Sequence, residues 1–151
     1  MYHSEILNVD QTREIIRKYE NTTEKEVIDI KDGNSRVLAQ KITVLIDVPP
    51  FDRSAMDGYA VIAEDLTNAS NSLPRSLNVV DEVGAGEISD HVLKFGEAIR
   101  IATGAQMPKG ADSIVMEENV EFNEGKIKIK TPISFNNDVS LIGEDLKKGE
   151  T

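Results

Sequence analysis

The chain of 151 residues contains no cysteine. Disulfides, thiolate metal sites and cysteine nucleophiles are therefore excluded, which agrees with a cytoplasmic protein. Aromatic residues make up only 5% of the chain, so the sequence offers no stacking platform for nucleic-acid bases. Acidic residues outnumber basic residues by 27 to 17, and the formal net charge of -10 gives no field that attracts nucleic-acid phosphates or an anionic membrane. We expect neither a nucleic-acid nor a membrane partner.

Long hydrophobic runs are also missing. The largest aliphatic cluster, Val44-Leu45-Ile46, is far too short to span a bilayer, and residues 1–10 contain no apolar region of a signal peptide. His3 and His91 have no second histidine at metal-ligand spacing, so we interpret both as surface residues. The sequence predicts a cytoplasmic protein.

Hydrophobic spacing predicts a mixed structure in the first third of the chain. Apolar residues recur at helical intervals over residues 10–20, which predicts a short amphipathic helix with Asp10 as its N-cap and Asn21 as its end. Residues 27–30 alternate between apolar and polar and predict a strand or an extended arm, whereas residues 36–40 favour a second short helix.

After residue 48, short β-rich runs alternate with turn-forming clusters. The predicted strands cover residues 59–62, 77–83, 98–102, 113–116 and 126–133. Connections this short favour antiparallel neighbours over crossovers through helices. We therefore predict an α+β fold that is mainly β after residue 48, with a coiled or barrel-like antiparallel sheet preceded by short helices and an extended arm.

The same pattern divides the chain into three segments. Residues 1–47 hold the helices and the arm, residues 48–142 form a small β-domain, and residues 143–151 begin a return segment. The last segment stops in a turn-rich, strongly charged sequence, which we interpret as a cut, although a loose natural tail is equally compatible with its composition.

Polar residues stand beside glycine in three places, and the first is the string from Pro49 to Val61. Its two prolines stiffen the chain, and the Asp57-Gly58 pair is a strong turn signal. Ser54 and Asp57 are thereby placed on a rigidly held loop, where binding and catalytic groups are common. An ordinary Asp-Gly turn, in which Ser54 makes a local hydrogen bond, explains the same residues.

The second and third places also allow two interpretations each. The turn from Thr103 through Gly104 to Ala105 could offer backbone N–H groups to an anion, with Arg100 as a bidentate cation. It could equally be a strand-end turn in which Thr103 bonds its own backbone. In the third place, Glu144-Asp145 could hold a hard cation such as Mg²⁺, or these residues could simply be polar residues of a turn.

Taken together, four strings resemble the N-terminal region of the MoeA family, the molybdopterin molybdenumtransferases, which includes the E domain of gephyrin. They have the family's order and separations and extend over nearly the whole chain. The strings are Pro49 to Val61, Gly96 to Ala105, Pro108 to Val115 and Gly143 to Asp145.

The resemblance implies an enzyme of molybdenum cofactor biosynthesis. Such an enzyme inserts molybdate into adenylated molybdopterin and releases AMP, with Mg²⁺ or Zn²⁺ assisting. The family's active-site positions carry over to Asp57, Thr103 and Asp145, and the two aspartates are the implied metal ligands. Five further residues are then expected to contact the substrate: Ser54, Gly58, Arg100, Gly104 and Ala105.

The resemblance also implies a homodimer. In the family, the site forms between the N-terminal β-domain of one subunit and the molybdopterin-binding domain of its partner. Residues 1–47 are then a linker and dimerisation region, and the fragment is expected to be inactive alone because it lacks the molybdopterin-binding domain.

Two departures from the family pattern qualify this expectation. Ser140-Leu141-Ile142 stands where the family usually has an arginine before Gly-Glu-Asp, so this chain has no arginine there for an anion contact, and Ser35 replaces a common glycine. Two other functions remain as alternatives. One is a stand-alone module that binds a partner without chemistry, and the other is an independent anion-binding module.

Overall fold

A computed structural model describes residues 7–20 and 23–151. The chain divides into two compact units, Met1–Lys41 and Ile42–Thr151. The three-segment division at residues 47 and 142 stays a prediction. His3 and Asn21, which we expected at the surface and at a helix end, lie outside the described residues.

The first unit contains one α-helix, α1, at Val9–Lys18. Its N-cap is Asn8, and the prediction of Asp10 is wrong. The Asn8 side chain accepts from the Gln11 N–H at 2.9 Å, and the Gln11 side chain accepts from the Asn8 N–H at 2.9 Å. This reciprocal capping box satisfies two N–H groups at once, which Asp10 within the first turn does not do.

The second helix predicted in this unit, over residues 36–40, is also wrong. A 3₁₀ helix at Ile30–Asp32 comes earlier instead, and Ser35 has a φ of 63° in the turn that follows it. Residues 36–40 are all exposed, so a five-residue helix there would have no core to stabilise it. Residues 27–29 pair with no strand in the described part of the chain.

The second unit is built from strands, with 3₁₀ helices at Ala63–Leu66 and Glu117–Asn119. The strands are β1 (Arg53–Ser54), β2 (Gly58–Val61), β3 (Arg75–Val83), β4 (Glu97–Ile101), β5 (Ser113–Met116), β6 (Val120–Asn123), β7 (Lys126–Ile129) and β8 (Val139–Ser140). Six of them form a curled sheet in the order β5-β2-β4-β3-β7-β6, and β1 pairs with β8. The predicted mainly β fold is confirmed.

One neighbouring pair departs from the antiparallel prediction. β3 and β4 run parallel, with a register shift between Val79 and Asp81. A parallel pair requires the chain to return to the end of the sheet at which the first strand begins, and residues 84–96 are long enough to do this between β3 and β4. β6 was not predicted; it forms a hairpin with β7 through Glu124 and Gly125, both at positive φ.

Apolar side chains cover both faces of the sheet. One buried cluster includes Tyr59, Leu77 and Ile127, and the other includes Ala60 and Ile99. Because successive side chains of a strand point to opposite faces, β2 is buried at all four of its residues. The centre of the sheet is therefore a rigid support for the loops at its ends.

The end of the chain returns beside the start of the second unit. The Val44 N–H donates to Glu150 O at 2.8 Å, and the Val48 N–H donates to Leu146 O at 2.8 Å. This pairing places the Gly143-Glu144-Asp145 turn beside Val48. Among the described residues, no helix is both long and apolar enough to cross a membrane.

Candidate active site

The first predicted string forms the turn between β1 and β2. Ser54 is buried, and its Oγ donates to Met56 O at 2.6 Å. This hydroxyl therefore closes the turn locally, as the structural interpretation expected. Asp57 is exposed at the end of the turn, directly before β2.

Gly58 lies inside the sheet, where it begins β2. A Cβ at this position would lie 2.2 Å from Val115 O on β5, so no side chain fits. The close approach of two strands explains why glycine follows Asp57. Gly58 holds the Asp57 turn against the sheet from a buried position.

The second predicted string forms a tight turn after β4. The Ala105 N–H donates to Ala102 O at 3.0 Å, and Gly104 has a φ of 81°. A positive φ at the third residue of such a turn favours glycine. The Gly104 N–H also donates to Ser54 O at 2.8 Å, and Ala105 O accepts from the Ser54 N–H at 3.0 Å. The first and second loops are thus joined by their main chains.

The side chains of Asp57 and Thr103 complete this junction. Asp57 Oδ1 accepts from the Thr103 N–H at 2.7 Å and from Thr103 Oγ1 at 2.8 Å. The backbone hydrogen bond, then the hydroxyl hydrogen bond, hold the pKa of Asp57 below its ordinary value. Asp57 is therefore an oriented carboxylate that stays ionised at neutral pH.

The N–H groups of this turn are hydrogen-bonded within the chain, which fits the structural-turn interpretation better than the anion site. Thr103 donates its N–H to Asp57, Gly104 to Ser54, and Ala105 to Ala102. The Thr103 hydroxyl also donates to Asp57. The chain's own acceptors therefore use the three N–H groups and the hydroxyl of this turn.

Arg100 is likewise engaged within the chain. Its Nη1 donates to Glu82 Oε1 at 3.2 Å and its Nη2 to Glu117 Oε1 at 3.0 Å. The charges of Glu117 and Glu82 raise the pKa of this guanidinium above its ordinary value. A shallow depression in the sheet surface contains this cluster together with Tyr59 and Phe122.

The third predicted place is joined to the beginning of the first string. The Gly143 N–H donates to Pro49 O at 2.9 Å, and the Asp145 N–H donates to Val48 O at 2.9 Å. Asp145 is exposed. Among the described residues, no hydrogen bond joins Asp145 to Asp57 or to Thr103. The structure therefore joins the first two places through both main chain and side chains, and joins the third place to the first through main chain near the prolines.

Sequence reasoning missed Asp52 as a member of this arrangement. Asp52 Oδ1 accepts from the Ile142 N–H at 2.7 Å, and Asp52 O accepts from the Met107 N–H at 2.9 Å. One residue thus contacts both of the other loops. Its place between two prolines and Ser54 was the available signal, since loop aspartates commonly accept backbone N–H groups.

The carboxylates do not assemble a metal centre on their own. In residues 7–20 and 23–151, no group of three or more histidine, aspartate or glutamate side chains is placed to hold a metal ion. Asp57 has one oxygen, Oδ2, outside its bonds to Thr103. An oxygen of this kind suits Mg²⁺, which is often bound by one or two carboxylates together with water and phosphate oxygens.

The curled β-sheet and the two loops that Asp57 and Thr103 join define a β-domain with one oriented carboxylate on its surface. A family model described as the MoeA N-terminal region (domain I and II) matches residues 7–151. The chain belongs to the MoeA family.

Relatives and solved structures agree with this assignment. Two curated relatives are each named molybdopterin molybdenumtransferase. The one from Staphylococcus aureus (strain Mu50) is 40% identical over 82% of this chain and 29% of its own length. The one from Bacillus subtilis (strain 168) is 39% identical over 93% of this chain and 34% of its own length. The chain therefore spans about a third of the length of these relatives.

A solved structure of the molybdopterin biosynthesis MoeA protein from Pyrococcus horikoshii OT3 has the same fold. It superposes with a TM-score of 0.79 at 40% sequence identity and covers 83% of this chain and 33% of its own. The chain is homologous to molybdopterin molybdenumtransferases through their N-terminal region.

Proposed function

We propose that the chain forms the N-terminal region of an enzyme that inserts molybdenum from molybdate into adenylated molybdopterin, with release of AMP. Membership of the MoeA family and the names of the relatives support this activity. The observation that carries the proposal is the contact of Asp57 with Thr103, which joins two separate motif strings at one surface position.

Asp57 is proposed to act as a fixed negative charge. Because two donors on Oδ1 lower its pKa, its carboxylate is a weak base at neutral pH and is better suited to bind a cation than to abstract a proton. Thr103 is then the residue that orients Asp57 and keeps it ionised. Asp145 is proposed to contribute a second carboxylate from the neighbouring turn.

Mg²⁺ is the metal that these residues favour. The candidate ligands are carboxylate oxygens, the chain has no cysteine, and neither of its two histidines lies in the four strings. Zinc prefers thiolate and imidazole ligands, whereas magnesium prefers oxygen. When bound, Mg²⁺ would neutralise negative charge on the phosphate-containing substrate.

The rest of the catalytic machinery is proposed to come from elsewhere. The chain spans about a third of its relatives, and its described residues offer no metal-binding group of three side chains. From membership of the MoeA family we propose a homodimer in which a molybdopterin-binding domain faces Asp57, and no activity from residues 1–151 alone. An independent anion-binding module has less support, since the donors of the Thr103 turn are engaged.

The test is molybdenum insertion by an enzyme that carries residues 1–151 as its N-terminal region. Asp57→Asn is expected to lower the rate by about 100-fold, the scale of losing one fixed charge-stabilising group. Thr103→Val keeps the N–H and loses the hydroxyl, so it is expected to lower the rate by roughly tenfold, whereas Thr103→Ser keeps both donors and most of the activity.

A matched control is Asp65→Asn. Asp65 also accepts a backbone N–H, from Gly96 at 2.9 Å, but lies in none of the four strings. It is expected to leave insertion unchanged. Wild-type rates in both Asp57→Asn and Thr103→Val would refute the assigned roles, and molybdate binding tightly to the 151-residue chain in calorimetry would favour the anion-binding alternative.

A further inference from the structure

Arg100 connects three separate parts of the sheet. It lies on β4, and its guanidinium donates to Glu82 on β3 at 3.2 Å and to Glu117 at 3.0 Å. Glu117 begins the 3₁₀ helix that follows β5. The guanidinium fork thus joins an inner strand to the segment beyond the edge strand.

The contact continues from Glu117 to the candidate active site. The Glu117 N–H donates to Asp57 O at 3.1 Å, so the residue that Arg100 holds by its side chain holds Asp57 by its main chain. On the other side, Thr103 holds the Asp57 carboxylate. Asp57 is therefore fixed at two points, and Arg100 supports one of them.

Arg100 is poorly placed to bind a substrate anion. Both arms of its guanidinium are paired, and its two partners carry more negative charge than it neutralises. An incoming anion would have to displace a carboxylate and would then lie beside that carboxylate. About half of the Arg100 side chain is exposed, but the net charge of the three side chains is still negative and disfavours an anion.

We propose that Arg100 is a positioning residue that fixes Glu117, and through Glu117 the main chain of Asp57, and that it does not contact the substrate. The catalytic part of this proposal rests on the proposed role of Asp57. The structural part stands on the Glu82–Arg100–Glu117 contacts alone.

Amide hydrogen exchange in the 151-residue chain tests the structural part. Arg100→Met is expected to speed exchange of the Glu117 N–H by roughly fivefold, the effect of weakening one hydrogen bond. Arg100→Lys, which can reach one carboxylate, is expected to give a smaller increase. Lys130→Met is the matched control, because Lys130 pairs with Glu121 on the same sheet away from Asp57. Equal exchange in Arg100→Met and Lys130→Met would overturn the proposal.

Molybdenum insertion by an enzyme that carries this region tests the catalytic part. Glu117→Ala frees one arm of the Arg100 guanidinium. It keeps the main-chain N–H that donates to Asp57 O but removes the side-chain contact by which Arg100 fixes residue 117. A positioning role predicts a lower kcat with an unchanged KM for molybdate, whereas a substrate-binding Arg100 would become freer and lower the KM. Glu118→Ala, in the same 3₁₀ helix, is the control and is expected to change neither. A lower KM in Glu117→Ala overturns the proposal.

The two experiments separate this proposal from the proposed function. If Asp57→Asn leaves insertion unchanged while Arg100→Met still speeds exchange at Glu117, the proposed function is wrong and the structural role of Arg100 holds. If Asp57→Asn abolishes insertion while the Glu117 N–H exchanges at the same rate in wild type and Arg100→Met, the positioning role is wrong.

Discussion

Adding a single methyl group at Gly58 is expected to destabilise the sheet strongly. Gly58 begins β2, which lies between β4 and β5. The new Cβ would lie 2.2 Å from Val115 O and 2.9 Å from Val115 C, which are main-chain atoms of β5. The shorter distance is about 1 Å less than ordinary contact, so β5 or the Asp57 turn must move.

The size of the effect follows from what must move. Overpacking a well-packed interior costs about 1–3 kcal/mol, and the upper end applies because the obstacle at Gly58 is main chain that is bonded into a ladder. For a chain of this size, about 3 kcal/mol corresponds to a fall in Tm of about 6–12 °C.

Urea unfolding and thermal melting of the chain provide the assay, with Gly84→Ala as the control. A Cβ at Gly84 would meet the Glu87 carboxylate at 3.0 Å, and this flexible side chain can move aside. Gly84→Ala is therefore expected to change the free energy of unfolding by less than about 1 kcal/mol. If Gly58→Ala is as stable as Gly84→Ala, the close approach of β2 to β5 is not as described.

Two further predictions concern stability. Ile127 is fully buried, so Ile127→Ala is expected to lower the free energy of unfolding in urea by about 2–5 kcal/mol, and a loss below about 1 kcal/mol would contradict its place in the core. Hydrogen bonds from Ser89 and from His91 hold the pKa values of Asp81 and Glu97, respectively, below their ordinary values of 3.8 and 4.5. Because these folded-state pKa values are depressed, their stabilising effect is present above the unfolded-state values and is lost as the pH falls through the folded-state values. The Tm is therefore expected to decrease as the pH is lowered below about 4, and Asp81→Asn is expected to make this decrease less steep.

The strands that could be predicted from the sequence are those with apolar runs between clear turn signals. β2, β4 and β5 lie within one residue of their predicted bounds because both of their faces are covered by core residues. β6 could not be predicted in this way. Its residues are partly or fully exposed, and its place in the sheet depends on pairing with β7.

Elements without a core partner were predicted less well. Residues 36–40 have helical composition but no buried face, so local propensity alone does not make a helix there. The parallel pairing of β3 with β4 also left no periodic signal, because it depends on the path of residues 84–96. His91, interpreted as a surface residue, is partly exposed. Its Nε2 donates to Glu97 Oε2 at 2.8 Å, a contact between residues that the local sequence pattern did not indicate.

In the candidate site, the sequence identified the polar residues but not how they pair. Asp57 and Thr103 are far apart in sequence, so neither local pattern could show that the threonine donors would be used by the aspartate. This pairing changes the chemistry expected of both residues. A turn with free N–H groups would bind an anion, whereas the same turn closed by Asp57 presents a carboxylate that favours a cation. Under the proposed function, an anionic substrate would need a metal ion or cations from another part of the enzyme to approach this surface, so the proposal assigns the Asp57 turn to one half of a shared site.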